Sequence, residues 1–261
     1  MAVRSGADAE VSSAAAQRET FLRDGFVVVP GLFGPDAIGR ISAWTDELET
    51  RPDVPGRAMK YFEPSLLDPG ARVLQRIENF CPFHEGFAAL CEGDELLGGA
   101  SRLFDEPAVL FKDKINFKLP GGDGFKPHQD QQAGWTTYAD LFITAMVSID
   151  ATTAENGCLE LCAGHHTRGL IGHEWEPLTD EDMRRLGARP VPTRPGDAVF
   201  FDSYTPHASA PNLTAERRRV LYITYNRRSA GDHRARYYAD KRKSFPPDIE
   251  RDPTRTYTFR V

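Results

Sequence analysis

Up to about residue 105 the apolar positions recur mainly at helical spacing. Beyond residue 107 they alternate, one in and one out. The first pattern predicts an amphipathic helix over 13–23, followed by a strand through GFVVVPGLF. A second helix starts near Pro35, a residue suited to the first helical position. Its Ile38, Ile41, Trp44 and Leu48 fall on one stripe, which reads as a face packed on a core and not as a site. Short β-like runs appear at AMKYFE and RVLQRIENF, and a helical stretch over 84–104. Then come AVLFKDKINFKL, LFITAMVSID, CLELCAG, DAVFFDSY and RRVLYITYNR, separated by Gly, Pro and Asn turns. A polar segment near 179–187 is the one later stretch with helical patterning. This order predicts a mainly β chain with flanking helices, closed as a sandwich or barrel. Residues 1–12, rich in Ala, Ser and Gly, read as a flexible tail, and 13–261 as a single domain without internal repeat. The Pro-rich, polar ending KSFPPDIERDPTRTYTFRV is expected to wrap back on the body.

Composition narrows the function classes. A chain of 261 residues with 40% hydrophobic and 27% charged residues has enough apolar material for one large core. A formal net charge of −6 gives no general attraction to nucleic acid or to an anionic membrane. No apolar run approaches the ~18 residues of a membrane span, and the first residues lack the apolar stretch of a signal peptide. Cys81, Cys91, Cys158 and Cys162 form no CxxC pattern; they read as buried reduced thiols, and a cytoplasmic location follows.

The chemistry begins at KPHQDQQAGW. In an extended chain residues i and i+2 face the same way, roughly 6.6 Å apart. His128 and Asp130 are therefore able to meet one metal ion while Gln129 points away. Chance places such a triplet in roughly one chain of two with this make-up, so the weight falls on a second histidine. PGDAVFFDSYTPHAS supplies His207 directly after a strand. Two imidazoles and one carboxylate leave coordination positions open and suit non-haem Fe(II); the same donors also hold Zn2+. Arg218 follows eleven residues after His207, where a guanidinium is able to grip a carboxylate near the metal, a feature that zinc hydrolysis does not explain. Alternation gives Arg218 the same face as Val220, Tyr222 and Thr224, whereas Arg217 and Arg219 read as solvated cations.

Several stretches together resemble the phytanoyl-CoA dioxygenase family of Fe(II)/2-oxoglutarate oxygenases. They are the glycine turn leading into HQD, AMVSID, ENGCLELCAGHH, RPGDAVFFDSYTPHAS and NLTAERRR, with DGFVVVPGLF upstream. The resemblance implies a double-stranded β-helix (jelly-roll, cupin-like) core. It implies that His128, Asp130 and His207 ligate iron and that Arg218 holds the distal carboxylate of 2-oxoglutarate. Ser209 and Asn116 match further 2-oxoglutarate contacts, and Gly157 and Gly164 match turn positions. Fe(II), with 2-oxoglutarate and O2 as co-substrates, would hydroxylate an unactivated C–H bond and release succinate and CO2. Asp130 is present where related halogenases leave room for chloride, which favours hydroxylation. Desaturation, ring closure and epimerisation start from the same hydrogen abstraction. The joint presence of all three ligands and Arg218 argues against a non-catalytic binding module.

If Asn116 reaches the co-substrate, alternation in FKDKINFKL turns Lys112, Lys114 and Lys118 inward with it. Phe111, Ile115, Phe117 and Leu119 then face the other way, interrupted by Asp113. Lys60, Tyr61, Arg76 and Glu78 are candidates for the cavity mouth, and Gln132 and Trp135 for a covering loop. Buried cations need anionic partners. The expected substrate is therefore a small polar anion or zwitterion: an organophosphonate, similar to the substrates of 2-aminoethylphosphonate-type hydroxylases, or an amino acid or natural-product intermediate. An acyl-CoA fits less well, because no long basic or apolar groove is evident. The sequence does not specify an oligomeric state.

Overall fold

The computed structural model describes residues 13–258; the tail expected over 1–12 lies outside the described residues. Helix α1 (Ala14–Asp24) starts where the Ser13 hydroxyl accepts from the Ala16 N–H, and ends at Gly25 in the left-handed conformation. Strand β1 (Phe26–Val29) follows, then α2 (Pro35–Thr50), with proline at its first position and Ile41, Thr45 and Leu48 buried. Strands β2 (Met59–Pro64) and β3 (Arg72–Glu78) are the two short β-like runs. The helix expected over 84–104 is instead two, α3 (Glu85–Cys91) and α4 (Gly99–Phe104), separated by a wide turn over Asp94–Gly98. Gly93 and Gly99 flank that turn and Gly98 ends it, and glycine weakens a helix interior.

Strand β4 (Ala108–Lys118) is followed by β5 (Phe125–His128), β6 (Phe142–Ser148) and β7 (Leu159–Leu161). Next come α5 (Asp180–Arg185), β8 (Arg189–Val191), β9 (Ala198–Asp202), β10 (His207–Ser209) and β11 (Arg218–Arg227). Helix α6 (Arg234–Ser244) was not anticipated: RARYYADKRKS buries only Tyr237 and Tyr238 and carries no apolar stripe.

The strands form two sheets, one of seven in the order β1-β9-β6-β11-β4-β3-β2 and one of four in the order β5-β10-β7-β8. Among the described residues all nine strand pairings within them are antiparallel. Two sheets packed face to face make the jelly roll of the double-stranded β-helix. One face of the large sheet lies under the helices: Ile115, Phe117, Ala145, Val147, Leu221 and Ile223 pack with Phe87, Leu96 and Ala100. The other face meets the small sheet through Met146, Val199, Phe201, Val220 and Tyr222 against Leu159 and Leu161. Strand β6 is buried at every position for this reason, and reads as a continuous apolar run instead of an alternation.

Register sets what looks inward. Lys118, Asn116, Lys114 and Lys112 of β4 stand opposite Arg218, Val220, Tyr222 and Thr224 of β11. Directly opposed residues share a face, so the polar side of FKDKINFKL and the Arg218 side of β11 both line the interior. The C-terminal segment folds back onto the body as expected: Phe245 stacks on Tyr61 with centroids 5.5 Å apart, and Asp248 meets Arg72 at 2.5 Å. Among the described residues no helix is long and apolar enough to cross a membrane.

Candidate metal centre and co-substrate pocket

His128 ends β5 and His207 opens β10; the two are register partners, with imidazole centroids 4.2 Å apart. Nδ1 of His128 lies 2.6 Å from the Lys126 carbonyl, and Nδ1 of His207 lies 3.0 Å from that of Thr205. A carbonyl only accepts, so each Nδ1 carries the proton and each Nε2 presents a lone pair. The backbone stays extended through Gln129 (φ −109°, ψ 132°), and Asp130 then opens a short turn, Asp130–Ala133. The i, i+2 geometry thus holds across the end of a strand and not within one. Asp130 Oδ1 sits 3.8 Å from His128 Nε2, and donor atoms of His128, Asp130 and His207 lie within 4.8 Å of one another. The other carboxylate oxygen accepts from Thr144 Oγ1 at 3.3 Å, and Thr144 is itself 2.9 Å from Thr224 Oγ1.

Protonation states match this geometry. Burial, then the neighbouring His207, pushes His128 down to about 3; burial also lowers His207. Burial alone would raise the Asp130 carboxyl, but His207, His128 and Lys114 outweigh it and hold it below the usual range. At neutral pH the set is two neutral imidazoles and a carboxylate, ready to bind a divalent ion without losing protons.

The glutamines beside these candidate ligands act as rivets. Gln129 donates to the carbonyls of Gly169 and Tyr204 (2.9 and 2.7 Å) and accepts from the Ile171 N–H at 2.7 Å. Gln132, expected to face substrate, is buried instead. It accepts from the Gln129 N–H at 2.8 Å and donates to the His173 and Glu176 carbonyls at 2.9 and 2.5 Å. Its amide is fully used in holding the 173–176 segment to the Asp130 turn.

Deeper in, Arg218 is only 1% exposed, and none of its three guanidinium nitrogens has a hydrogen-bond partner among the described residues. The Asn116 Oδ1 is likewise unpartnered. Lys118, expected near co-substrate and substrate, lies at this inner end: its side-chain nitrogen donates to Ser209 Oγ at 2.8 Å and to the Ala210 carbonyl. Burial, then the adjacent Arg218, pushes Lys118 down to about 6. Gly157 has φ +74°, and any side chain there would run into the Ala210 carbonyl. A buried fork of donors with nothing to hold calls for an anion, and a carboxylate matches it in both charge and shape.

A cavity of about 590 Å³ opens from His128 and Asp130 toward solvent, lined by Lys112, Lys114, Trp135, Arg76 and Glu78 among others. Arg76 stacks on Tyr61, its guanidinium carbon 4.1 Å from the ring centroid, and pairs with Glu78 at 2.8 Å. Trp135 packs edge-on against Phe111 and Phe142 with its ring beneath Lys112, whose Nζ is 5.3 Å from the ring centroid. Helix α6 completes the wall with Tyr237 and Lys241, and Arg255–Thr258 close it from the C-terminal side. None of these was singled out in the sequence. The available signal was Tyr237 and Lys241 standing one helical turn apart.

Two further expectations fail. Lys60 lies away from the cavity; it donates to the carbonyls of Glu49 and Arg51 (3.0 and 2.5 Å) and pairs with Asp53 at 3.1 Å, closing the end of α2. Lys60→Met is expected to lower stability by roughly 1–3 kcal/mol, read by denaturant titration, with KM unchanged. Arg219 is buried, not solvated: it forks onto Asp150 at 2.8 and 2.9 Å and reaches Asp46 at 2.6 Å, tying β11 to α2. Arg217, half exposed beside Asp46 and Glu49, does sit in a solvated patch.

Zinc hydrolysis leaves the empty guanidinium unexplained, whereas a dicarboxylate co-substrate beside the metal would fill it. Fold and site together define an Fe(II)- and 2-oxoglutarate-dependent oxygenase. The profile described as phytanoyl-CoA dioxygenase (PhyH) matches residues 21–220, and the chain belongs to that family. It is 42% identical over 244 residues to the 2-aminoethylphosphonate dioxygenase of Uncultured bacterium HF130_AEPn_1, covering 93% of this chain and 92% of that protein. It is 38% identical over 232 residues to the methylphosphonate hydroxylase of Gimesia maris, covering 88% and 86%. In fold it is similar to EctD from S. alaskensis, solved with 2-oxoglutarate and 5-hydroxyectoine (TM-score 0.71, 21% identity, 87% and 81% covered).

Proposed function

We propose that this oxygenase hydroxylates an unactivated C–H bond of a small organophosphonate. The observation that carries the reading is a surplus of positive charge on the cavity wall beside the triad. Glu78 is matched by Arg76 at 2.8 Å and Lys241 at 2.5 Å. Lys112 and Lys114 have no salt-bridge partner among the described residues. Their ammonium groups rest on aromatic rings, that of Lys114 at 4.6 Å from the Tyr222 centroid. Burial, then Lys112 itself, pushes Lys114 down to about 7. Two neighbouring lysines without a carboxylate partner suit a ligand that carries two negative charges, and such a ligand would itself favour the protonated form of Lys114. A phosphonate supplies them on one compact head with three acceptor oxygens; the carboxylate of an amino acid leaves one ammonium unmatched. The relatives named for 2-aminoethylphosphonate and methylphosphonate support the same class. Asp240 lines the outer part of the cavity, held by the Tyr138 hydroxyl at 2.9 Å and by Arg236 only at 3.8 Å. It offers a carboxylate to an ammonium group and favours an amino-substituted phosphonate.

In this reading His128, Asp130 and His207 hold the iron, and Arg218, with Ser209 and Asn116, holds 2-oxoglutarate. When bound, the pair supplies the oxidation: O2 is consumed, 2-oxoglutarate leaves as succinate and CO2, and C–H becomes C–OH. The chain supplies the rest. Thr144 fixes the Asp130 carboxylate, Lys112 and Lys114 fix the substrate head, and Trp135 and Tyr237 keep water from the reacting carbon.

The test is succinate release by the Fe(II)-loaded protein over a panel of phosphonates, amino acids and acyl-CoAs. Phosphonates are expected to respond. Lys114→Met is expected to raise their KM roughly 10- to 100-fold, the effect of removing one charge-assisted contact. Turnover confined to amino acids or acyl-CoAs would overturn the assignment.

A further inference from the structure

Among the described residues three non-glycine positions have left-handed backbones: Asn79, Asp105 and Trp175 (φ 66°). Asparagine and aspartate tolerate that region; a bulky tryptophan is an outlier in it. Burial does not account for the exception, because the Trp175 side chain is 45% exposed. The segment is nonetheless firmly placed. The Trp175 N–H donates to the Gln132 carbonyl at 2.7 Å, and Gln132 holds the carbonyls of His173 and Glu176. The Thr136 hydroxyl donates to Glu174 at 3.0 Å, and the Leu178 N–H donates to the Pro127 carbonyl at 2.8 Å. Every one of these partners belongs to 127–136, the stretch that carries His128 and Asp130. The indole lies over Gly134, where any side chain would strike it, and lines the same cavity as His128 and Asp130.

Glycine or asparagine would hold the same turn at lower cost, so the turn does not explain the indole. Strain of this kind is retained where a side chain acts. We propose that Trp175 is a specificity-determining residue of the oxygenase, its indole forming the wall that covers the substrate bound at the metal. The exposed part of the ring is buried when substrate fills the cavity, so binding gains apolar area that folding does not use. Coupling through Gln132 ties the position of the ring to that of the Asp130 turn. The inference rests on the oxygenase reading of the cavity and is independent of the phosphonate assignment.

The test compares wild type, Trp175→Gly and Trp175→Phe with whichever panel compound the wild type turns over. Trp175→Gly is expected to keep or raise the melting temperature, because glycine accepts the left-handed backbone, and to raise KM roughly tenfold or more. Trp175→Phe restores most of the KM. A lower melting temperature with unchanged KM makes the ring a packing element and overturns the proposal; so does a glycine variant identical to wild type in both. Wild-type silence toward phosphonates with turnover of another compound ends the phosphonate assignment instead, and the comparison is then run on that compound.

Discussion

His207→Ala is expected to lose its iron and to turn over at less than roughly one-thousandth of the wild-type rate. The imidazole is the one proposed ligand that reaches the site from the far part of the chain, and its register with His128 is what makes the donors converge. Its Nδ1 proton is committed to the Thr205 carbonyl, so truncation removes a donor already oriented toward the ion. Water is able to fill the vacated position but does not restore the affinity that a neutral imidazole gives a divalent metal. The fold should survive. His207 lies against Phe201 with centroids 4.9 Å apart, and the cavity left beside that ring costs stability of the order of 1–3 kcal/mol. Iron content after loading, measured beside succinate release, separates the alternatives. A folded variant that binds iron one to one and retains turnover would remove His207 from the ligand set.

Much of this centre is legible in the sequence because it depends on short-range geometry. The spacing of His128 and Asp130 works in any extended backbone, including the strand end where it occurs. The alternation in FKDKINFKL survives because the helix-packed side of β4 takes Ile115 and Phe117 and admits a polar group only where it is fully paired, as Asp113 is by the Phe80 and Cys81 N–H groups, Tyr238 and Arg234. What is not legible depends on partners remote in the chain. Gln132 looked available for substrate, but its amide is taken by carbonyls 41 and 44 residues away. Lys60 looked like a cavity lysine in a β-like run, but the end of α2 claims it. Arg219 shares a cationic run with Arg218 and points the opposite way, and alternation alone gives it no partner; Asp150 and Asp46 do. Helix α6 escaped because its sequence is polar almost throughout: its place is fixed by Tyr237, Tyr238 and the Lys241–Glu78 pair, which periodicity does not register.

Arg218→Met is expected to weaken 2-oxoglutarate binding roughly a hundredfold or more while leaving the unliganded protein at least as stable as wild type. The two halves of this result have one cause. Arg218 is buried with three unpartnered nitrogens among the described residues, and burial already lowers its pKa. An isolated buried cation is a burden of several kcal/mol on the empty fold, and an apolar side chain of similar length removes it. With 2-oxoglutarate present the balance reverses, because the same fork meets a carboxylate. Deleting one partner of a buried charge pair costs about 2–5 kcal/mol of binding. Thermal unfolding with and without 2-oxoglutarate reads both effects. At a hundred times its Kd, a ligand adds about 2.7 kcal/mol to the wild type. The variant at that concentration should show almost none of the shift, from a starting point no lower. Arg218→Lys keeps the charge but not the planar fork, and should fall between the two. If Arg218→Met unfolds far below wild type, or keeps the full 2-oxoglutarate shift, the guanidinium belongs to the fold and the co-substrate is held elsewhere.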